Sequence, residues 1–234
     1  MPVKKYHLAW WRRWLARPLI RLLLGSLFRL LAPVRITGRK NVPLGKPYIL
    51  AINHVSLFDP PFAGVFWPEQ VEALGASDVW DRPGQNVLAR LWGGIPVHRG
   101  EYDRAAMEAV INALRGGYPL LIAPEGGRSH APGLRKAMPG VAYIAEQSGM
   151  PVIPVGIVGT TDDFFSKAIR GKRPQLEMHI GKPLQLPPVE GKGEMRHASR
   201  QSNADLVMRT IAGLLPEGYR GVYSGSAIVP DAQS

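Results

Sequence analysis

The chain contains no cysteine among its 234 residues, which excludes disulfide frameworks, thiolate metal sites and cysteine nucleophiles. Its first 58 residues contain no acid. Eleven Lys and Arg stand there unopposed, and Asp59 is the first carboxylate. Beyond it eighteen bases meet eighteen acids, so the formal charge of +11 belongs wholly to the N-terminal quarter. No segment has the about 20 mostly apolar residues that a membrane span needs. Between Arg21 and Arg29 only residues 22–28 are uncharged. Arginines also run through this apolar stretch with no obvious small-residue cleavage site after it, which speaks against a signal peptide. Three catalytic signatures are missing as well. There is no Gly-x-Ser-x-Gly elbow of a serine hydrolase. None of the four Gly-Lys pairs is followed by Ser or Thr, as a phosphate-binding loop would require. No His-Glu-x-x-His occurs and the six histidines are scattered, so no metal site is expected.

What is present begins with the basic quarter, which suits either a nucleic acid or an anionic membrane surface. The residues between the charges favour the membrane. Residues 8–34 read LAWWRRWLARPLIRLLLGSLFRLLAPV, with Trp10, Trp11 and Trp14 beside a run of leucines. A nucleic-acid arm is polar between its bases, whereas this one is greasy. Arg13, Arg17 and Arg21 are spaced by four, a drift of about 40° per step on a helix. Their stems can lie along apolar surface while the heads reach phosphates, and tryptophans suit the headgroup layer. Pro18 is expected to divide the segment into two helices. The alternative is that the leucines pack on the core of the domain.

From residue 34 onward the periodicity alternates. Strands are expected at 34–37, 48–52, 71–74, 95–97, 119–123, 152–158 and 176–180, with helices at 60–67, 87–92, 102–115, 141–148 and 198–215. Strands alternating with helices imply an α/β sandwich with a mainly parallel central sheet. The expected organisation is a membrane-attachment segment over 1–33, an α/β domain over 34–223 and a loosely ordered tail over 224–234.

Four short stretches carry chemistry. In Asn53-His-Val-Ser-Leu-Phe-Asp59, a turn between strand and helix can fold Asp59 back onto the His54 ring, orienting one nitrogen and freeing the other as a base. Equally, Asp59 can cap the helix that follows and His54 can be a buried, satisfied histidine. In Gly93-Gly-Ile-Pro-Val-His-Arg-Gly100, Arg99 follows a strand and can grip a phosphate through its planar fork, or make a modest surface ion pair. In Leu121-Ile-Ala-Pro-Glu-Gly-Gly-Arg-Ser129, Gly126 and Gly127 allow close backbone approach to an anion, or build a plain loop. In Met150-Pro-Val-Ile-Pro-Val-Gly156 a proline breaks a strand, which alone suggests an edge or a bend.

In order and type these four stretches resemble the glycerolipid acyltransferase family, whose members include 1-acylglycerol-3-phosphate (lysophosphatidic acid) and glycerol-3-phosphate acyltransferases. The family's Asn-His-x4-Asp is matched by Asn53-His54 and Asp59, its glycine-to-arginine block by Gly94 to Arg99, its Glu-Gly-Thr-Arg-Ser by Glu125-Gly126-Gly127-Arg128-Ser129, and its last block by Val152-Ile153-Pro154-Val155. Gly127 departs from the family's Thr, which bears on the acceptor more than on the chemistry. The resemblance implies O-acyl transfer with His54 as general base and Asp59 orienting it. It further implies that Arg99 and Arg128, with Lys136, hold the acceptor phosphate, and that Glu125 positions the acceptor or braces the arginine loop. Gly126, Gly127 and Ser129 complete the binding loop. No cofactor is implied beyond the co-substrate, acyl-CoA or an acyl carrier protein. The expected acceptor is lysophosphatidic acid, with glycerol-3-phosphate or another lysolipid or glycolipid as the alternative. The expected partners are the lipids of an anionic leaflet and no nucleic acid, with the protein peripheral or monotopic at the cytoplasmic face of the cell membrane. The rival from another class is a non-catalytic membrane-binding module, which has no need of His54 or Asp59.

Overall fold

The computed structural model describes residues 8–100 and 103–229. The N-terminal run passes through a π-helical turn, Arg12–Ala16, directly into α1, Arg17–Leu31. The elements that follow are β1 (Val34–Thr37), β2 (Ile49–Ile52), α2 (Asp59–Phe66), β3 (Glu72–Ala76), α3 (Gln85–Trp92), β4 (Ile95–Val97) and α4 (Arg104–Arg115). The second half contains β5 (Leu120–Ile122), α5 (Gly140–Ser148), β6 (Val152–Val158), α6 (Phe164–Ile169), β7 (Leu176–Ile180) and α7 (Gly193–Gly213).

The strands form one sheet in the order β1-β7-β6-β2-β5-β3-β4. Every neighbouring pair is parallel except β6 with β7, which is antiparallel. The continuous apolar run Ile49–Ile52 follows from its place near the middle. Leu50 and Ile52 enter one core beside Phe62 and Phe66 of α2, while Ile49 and Ala51 enter the other beside Ile144 of α5 and Val207 of α7. A strand covered on both faces has no polar side to show. This is the expected α/β sandwich with its mainly parallel sheet.

Strands β2 and β5 are neighbours, yet the chain leaves them in opposite senses. From β2 it crosses one face through α2 toward β3, and from β5 it crosses the other face through α5 to β6. Such a divergence opens a crevice beyond the carboxyl ends of the two strands. His54 lies two residues past β2, and Glu125 three past β5.

Several expectations need correction. Pro18 does not divide the N-terminal segment. It lies in the first turn of α1, and the π turn just before it widens the backbone where the proline ring would crowd the preceding carbonyl. The arginine stripe faces the domain rather than the outside. Arg17 is buried, and Arg21 donates to the carbonyls of Glu69 (2.9 Å) and Trp67 (2.5 Å). Arg13 donates to the Tyr118 hydroxyl at 3.1 Å. The outward face of α1 is left to Leu19, Leu22, Leu23, Leu27 and Leu30, continuing from Trp14 and Leu15, all exposed. Among the described residues no helix is long and apolar enough to cross a membrane.

At the carboxyl end, α7 starts five residues earlier than its apolar pattern shows, because its first turns are exposed and polar. Helix α6, only six residues long, was hidden by its brevity. Tyr223, the last residue of the expected domain, is buried and its hydroxyl donates to Asp205 at 2.6 Å. The expected tail is held beyond it, where Ile228 N donates to Arg209 O at 2.9 Å. The expected helix start at residue 102 and the end of the tail, 230–234, lie outside the described residues, as do Lys4 and Lys5.

Candidate active site

The turn after β2 brings the imidazole and the carboxylate together. Proline at positions 60 and 61 starts α2 abruptly at Asp59, and the tight turn over Val55–Phe58 returns Asp59 beneath the ring. His54 Nδ1 lies 3.0 Å from Asp59 Oδ2. Asp59 is fully buried, whereas the His54 side chain keeps 12% of its surface exposed. The carboxylate is well supplied with donors: Ser56 N reaches Oδ2 at 2.8 Å, and the Thr160 hydroxyl donates to Oδ1. Its side chain therefore does not cap α2, and the turn folds it onto the His54 ring.

Asn53 fixes the end of β2 against β6. Its amide donates to Ile157 O at 2.9 Å, and its side-chain oxygen accepts from Ile157 N at 2.6 Å. On the other side, the loop after β5 runs beside the turn that carries the ring. Ser129 N donates to His54 O and His130 N to Val55 O, each at 2.9 Å.

Glu125 joins these parts. Its Oε1 accepts from His54 N at 2.7 Å and its Oε2 from Arg135 N at 2.8 Å. Both oxygens are thus engaged by the backbone and the side chain is buried. It ties the turn after β2 to the segment that carries Arg135. Burial pushes the carboxyl up to about 7, against the opposing pull of the Arg135 and His54 amides and with help from the Asp59 charge.

Two guanidiniums converge on Gly127. A Cβ added there would lie 3.2 Å from Arg135 Nη1 and 3.9 Å from Arg99 Nη1. Arg99, some 30 residues away in sequence, is thus brought to the glycine loop by β4. Arg135 also donates to Arg128 O at 3.1 Å, tying the loop to the segment behind it. Gly126 has φ +66°, a left-handed turn that a side chain would strain. The Ser129 hydroxyl turns away, donating to Ala131 O at 2.6 Å. Arg128 is half-buried in the loop, whereas Lys136 is exposed beside Arg135 and is not drawn into it.

Sequence reasoning passed over Arg135, Ser56 and Thr160. Ser56 lies inside the motif but meets Asp59 through its backbone N–H, which no residue type signals. Arg135 is exposed beside the buried Leu134, and Thr160 lies 101 positions from its carboxylate partner. The described residues contain no group of three or more His, Asp or Glu side chains placed to hold a metal ion.

A histidine–aspartate pair at the switch point of a mostly parallel sheet, with guanidiniums over a glycine loop, defines the chain as an α/β protein built around one carboxyl-edge site. A family model described as Acyltransferase matches residues 33–158, more than half of the chain. The chain belongs to that acyltransferase family. A curated relative from Borreliella burgdorferi, a 1-acyl-sn-glycerol-3-phosphate acyltransferase, is 25% identical over 147 residues, covering 62% of this chain and 59% of the relative. The chain therefore spans somewhat less than two thirds of that relative's length. Among solved structures, the 1-acyl-sn-glycerophosphate (LPA) acyltransferase PlsC from Thermotoga maritima matches with a TM-score of 0.59 and 22% identity, over 84% of this chain and 79% of that one. That likeness concerns the fold.

Proposed function

We propose that the chain transfers a fatty acyl group from a thioester donor, acyl-CoA or an acyl carrier protein, to the free hydroxyl of lysophosphatidic acid, giving phosphatidic acid for phospholipid synthesis. The observation that carries the reading is the 3.0 Å contact between His54 Nδ1 and the buried Asp59. With Nδ1–H held by the carboxylate, Nε2 is the basic nitrogen. It takes the proton of the acceptor hydroxyl as that oxygen attacks the thioester carbonyl. The carbon–sulfur bond then breaks, and the departing thiolate receives the proton from the imidazolium, so no covalent enzyme intermediate forms. General-base help of this kind contributes roughly 10²–10⁴ in rate.

Arg99 and Arg135 at Gly127, with Arg128 in the same loop, supply the positive field for the acceptor phosphate. Lys136, at the rim, assists from outside. The domain attaches peripherally to the cytoplasmic leaflet through the leucine and tryptophan face of α1 and the turn before it, so that the site meets lipids at headgroup level. Attachment leans on apolar contact more than on charge, because Arg17 and Arg21 are spent inside the domain.

The test is a transfer assay with liposomes, a thioester donor and a panel of acceptors: lysophosphatidic acid, glycerol-3-phosphate, other lysophospholipids and a glycolipid. The product is identified by mass spectrometry, with His54→Ala as the control. Transfer to lysophosphatidic acid above the other acceptors is expected. Preference for another acceptor replaces the substrate while leaving the chemistry, and absence of transfer to all of them overturns the reading.

A further inference from the structure

We infer that Thr160 is a positioning residue for acyl transfer, holding the Asp59 carboxylate in the orientation that serves the His54 imidazole. The inference rests on the acyl-transfer reading above, and concerns a residue just beyond the stretch, 33–158, that the family model matches.

A carboxylate on one bond to an imidazole is free to rotate and to present either oxygen. Asp59 is not. Oδ2 takes Ser56 N and faces His54 Nδ1, while Oδ1 takes the Thr160 hydroxyl. The Thr160 carbonyl in turn accepts from the Ser56 hydroxyl, which itself accepts from Phe58 N at 3.0 Å. Threonine and serine thus clasp the carboxylate from opposite sides, and Ser56, Asp59 and Thr160 are all buried. Thr160 is itself fixed. It follows β6, which Asn53 ties to β2, and Gly159 before it has φ +91°, with a carbonyl of Gln175 where a Cβ would stand. Gly159 N also donates to the Tyr219 hydroxyl at 3.1 Å. The clasp is therefore anchored on the frame of the sheet rather than on a free loop.

The hydrogen bond to Oδ1 does two things. It selects the rotamer that aims Oδ2 at the ring, and it spreads the negative charge that the imidazolium meets. The other carboxylate facing Asp59 is Glu125, which remains when Thr160 is changed.

The test compares Thr160→Val, which keeps the shape and loses the hydroxyl, with Thr160→Ser, which restores it. The readouts are steady-state transfer and the imidazole resonances of His54 in uniformly labelled protein. Thr160→Val is expected to lower kcat about 10–100-fold with KM within about threefold, and Thr160→Ser to stay within about threefold of wild type. With its charge less dispersed, Asp59 should hold the imidazolium more tightly. The acid limb of kcat/KM then moves to higher pH in Thr160→Val, and the His54 resonances titrate at higher pH with it. Wild-type kcat and an unmoved His54 titration in Thr160→Val would overturn the inference, as would Thr160→Ser falling as far as Thr160→Val. If Thr160→Val does not unfold cooperatively, Ser56→Ala takes its place: it keeps the Ser56 N–H on Oδ2 but removes the hydroxyl that holds the Thr160 carbonyl, so it loosens Thr160 and must move kcat and the His54 titration in the same direction. If wild type transfers no acyl group, the functional reading fails on its own, and the His54 titration, which needs no substrate, decides the role of Thr160.

Discussion

Arg17 Nη1 and Nη2 meet the two oxygens of Glu72 at 2.9 and 2.6 Å, with each side chain only 1% exposed. The same guanidinium donates through Nε to Trp92 O at 2.8 Å and lies over the Trp92 ring at 5.1 Å. A helix rich in leucine is thus fastened to the domain by its charge. Removing one partner of such a pair leaves the other buried and uncompensated, at a cost of about 3–5 kcal/mol. Arg17→Met should therefore lower unfolding stability in urea by about that amount, and Arg17→Met with Glu72→Leu should recover part of it. A single variant within about 1 kcal/mol of wild type means that the pair contributes no more than a surface bridge does.

His54→Ala should reduce turnover at least about 10²-fold while sedimenting with liposomes as wild type does, because the ring follows β2 and is no part of the exposed leucine face of α1. Asp59→Asn should also fall steeply. The amide oxygen can keep the Ser56 and His54 donors only if the Thr160 hydroxyl turns to accept from the NH₂, and in any orientation the amide has no charge with which to stabilise the imidazolium. Full activity in either variant removes the general-base mechanism.

Much of this architecture was legible because burial writes itself into composition. The runs around Ile49–Ile52 and Val152–Val158 are apolar on both faces since helices cover both faces of the sheet. His54 and Asp59 were legible because both sit on one short turn. The role of Glu125 was not, since its partners are backbone amides on either side of the site, and an N–H has no letter in a sequence. Thr160 and Arg135 come from separate connections, and only strand order brings them in. The basic stripe misled for a different reason. Spacing by four identifies one face of a helix but not which way it points, and here buried acceptors on β3 and the carbonyls after α2 drew the arginines inward.

Glu125 makes stability depend on pH in a direction opposite to that of most carboxylates. Its folded-state value is raised from 4.5 to about 7. Below pH 4.5 both folded and unfolded chains keep the proton, and its contribution is fully present. As pH rises from about 4.5 to 7 the unfolded chain releases the proton first, and wild type loses roughly 3 kcal/mol relative to a permanently neutral side chain. Glu125→Gln carries a fixed penalty, because its NH₂ confronts one of the two backbone donors. The stability difference, wild type minus Glu125→Gln, should therefore shrink as pH climbs through that window and then level off. Urea titrations of both proteins at pH 4.5, 6 and 7.5 measure it. A difference that grows with pH means that the two amides hold the carboxylate ionised and outweigh burial.

Membrane attachment is tested by point substitution rather than truncation. Phe28 of α1 packs edge-on to Phe62 at 5.5 Å and beside Phe164 at 6.0 Å, and Ala32 is fully buried. Deleting the first 32 residues would strip the core along with the apolar face. Leu22 and Leu30 are 65% and 75% exposed, so Leu22→Asn with Leu30→Asn should leave the unfolding midpoint near that of wild type. Each leucine buried in a membrane contributes roughly 1.5–3 kcal/mol, so the double variant should bind vesicles more than about tenfold more weakly. Because Arg17 and Arg21 point inward, raising the salt to 0.5 M should weaken wild-type binding far less than the two asparagines do. The opposite ranking, with salt releasing the protein and the asparagines having no effect, would assign attachment to charge instead of to the leucine face.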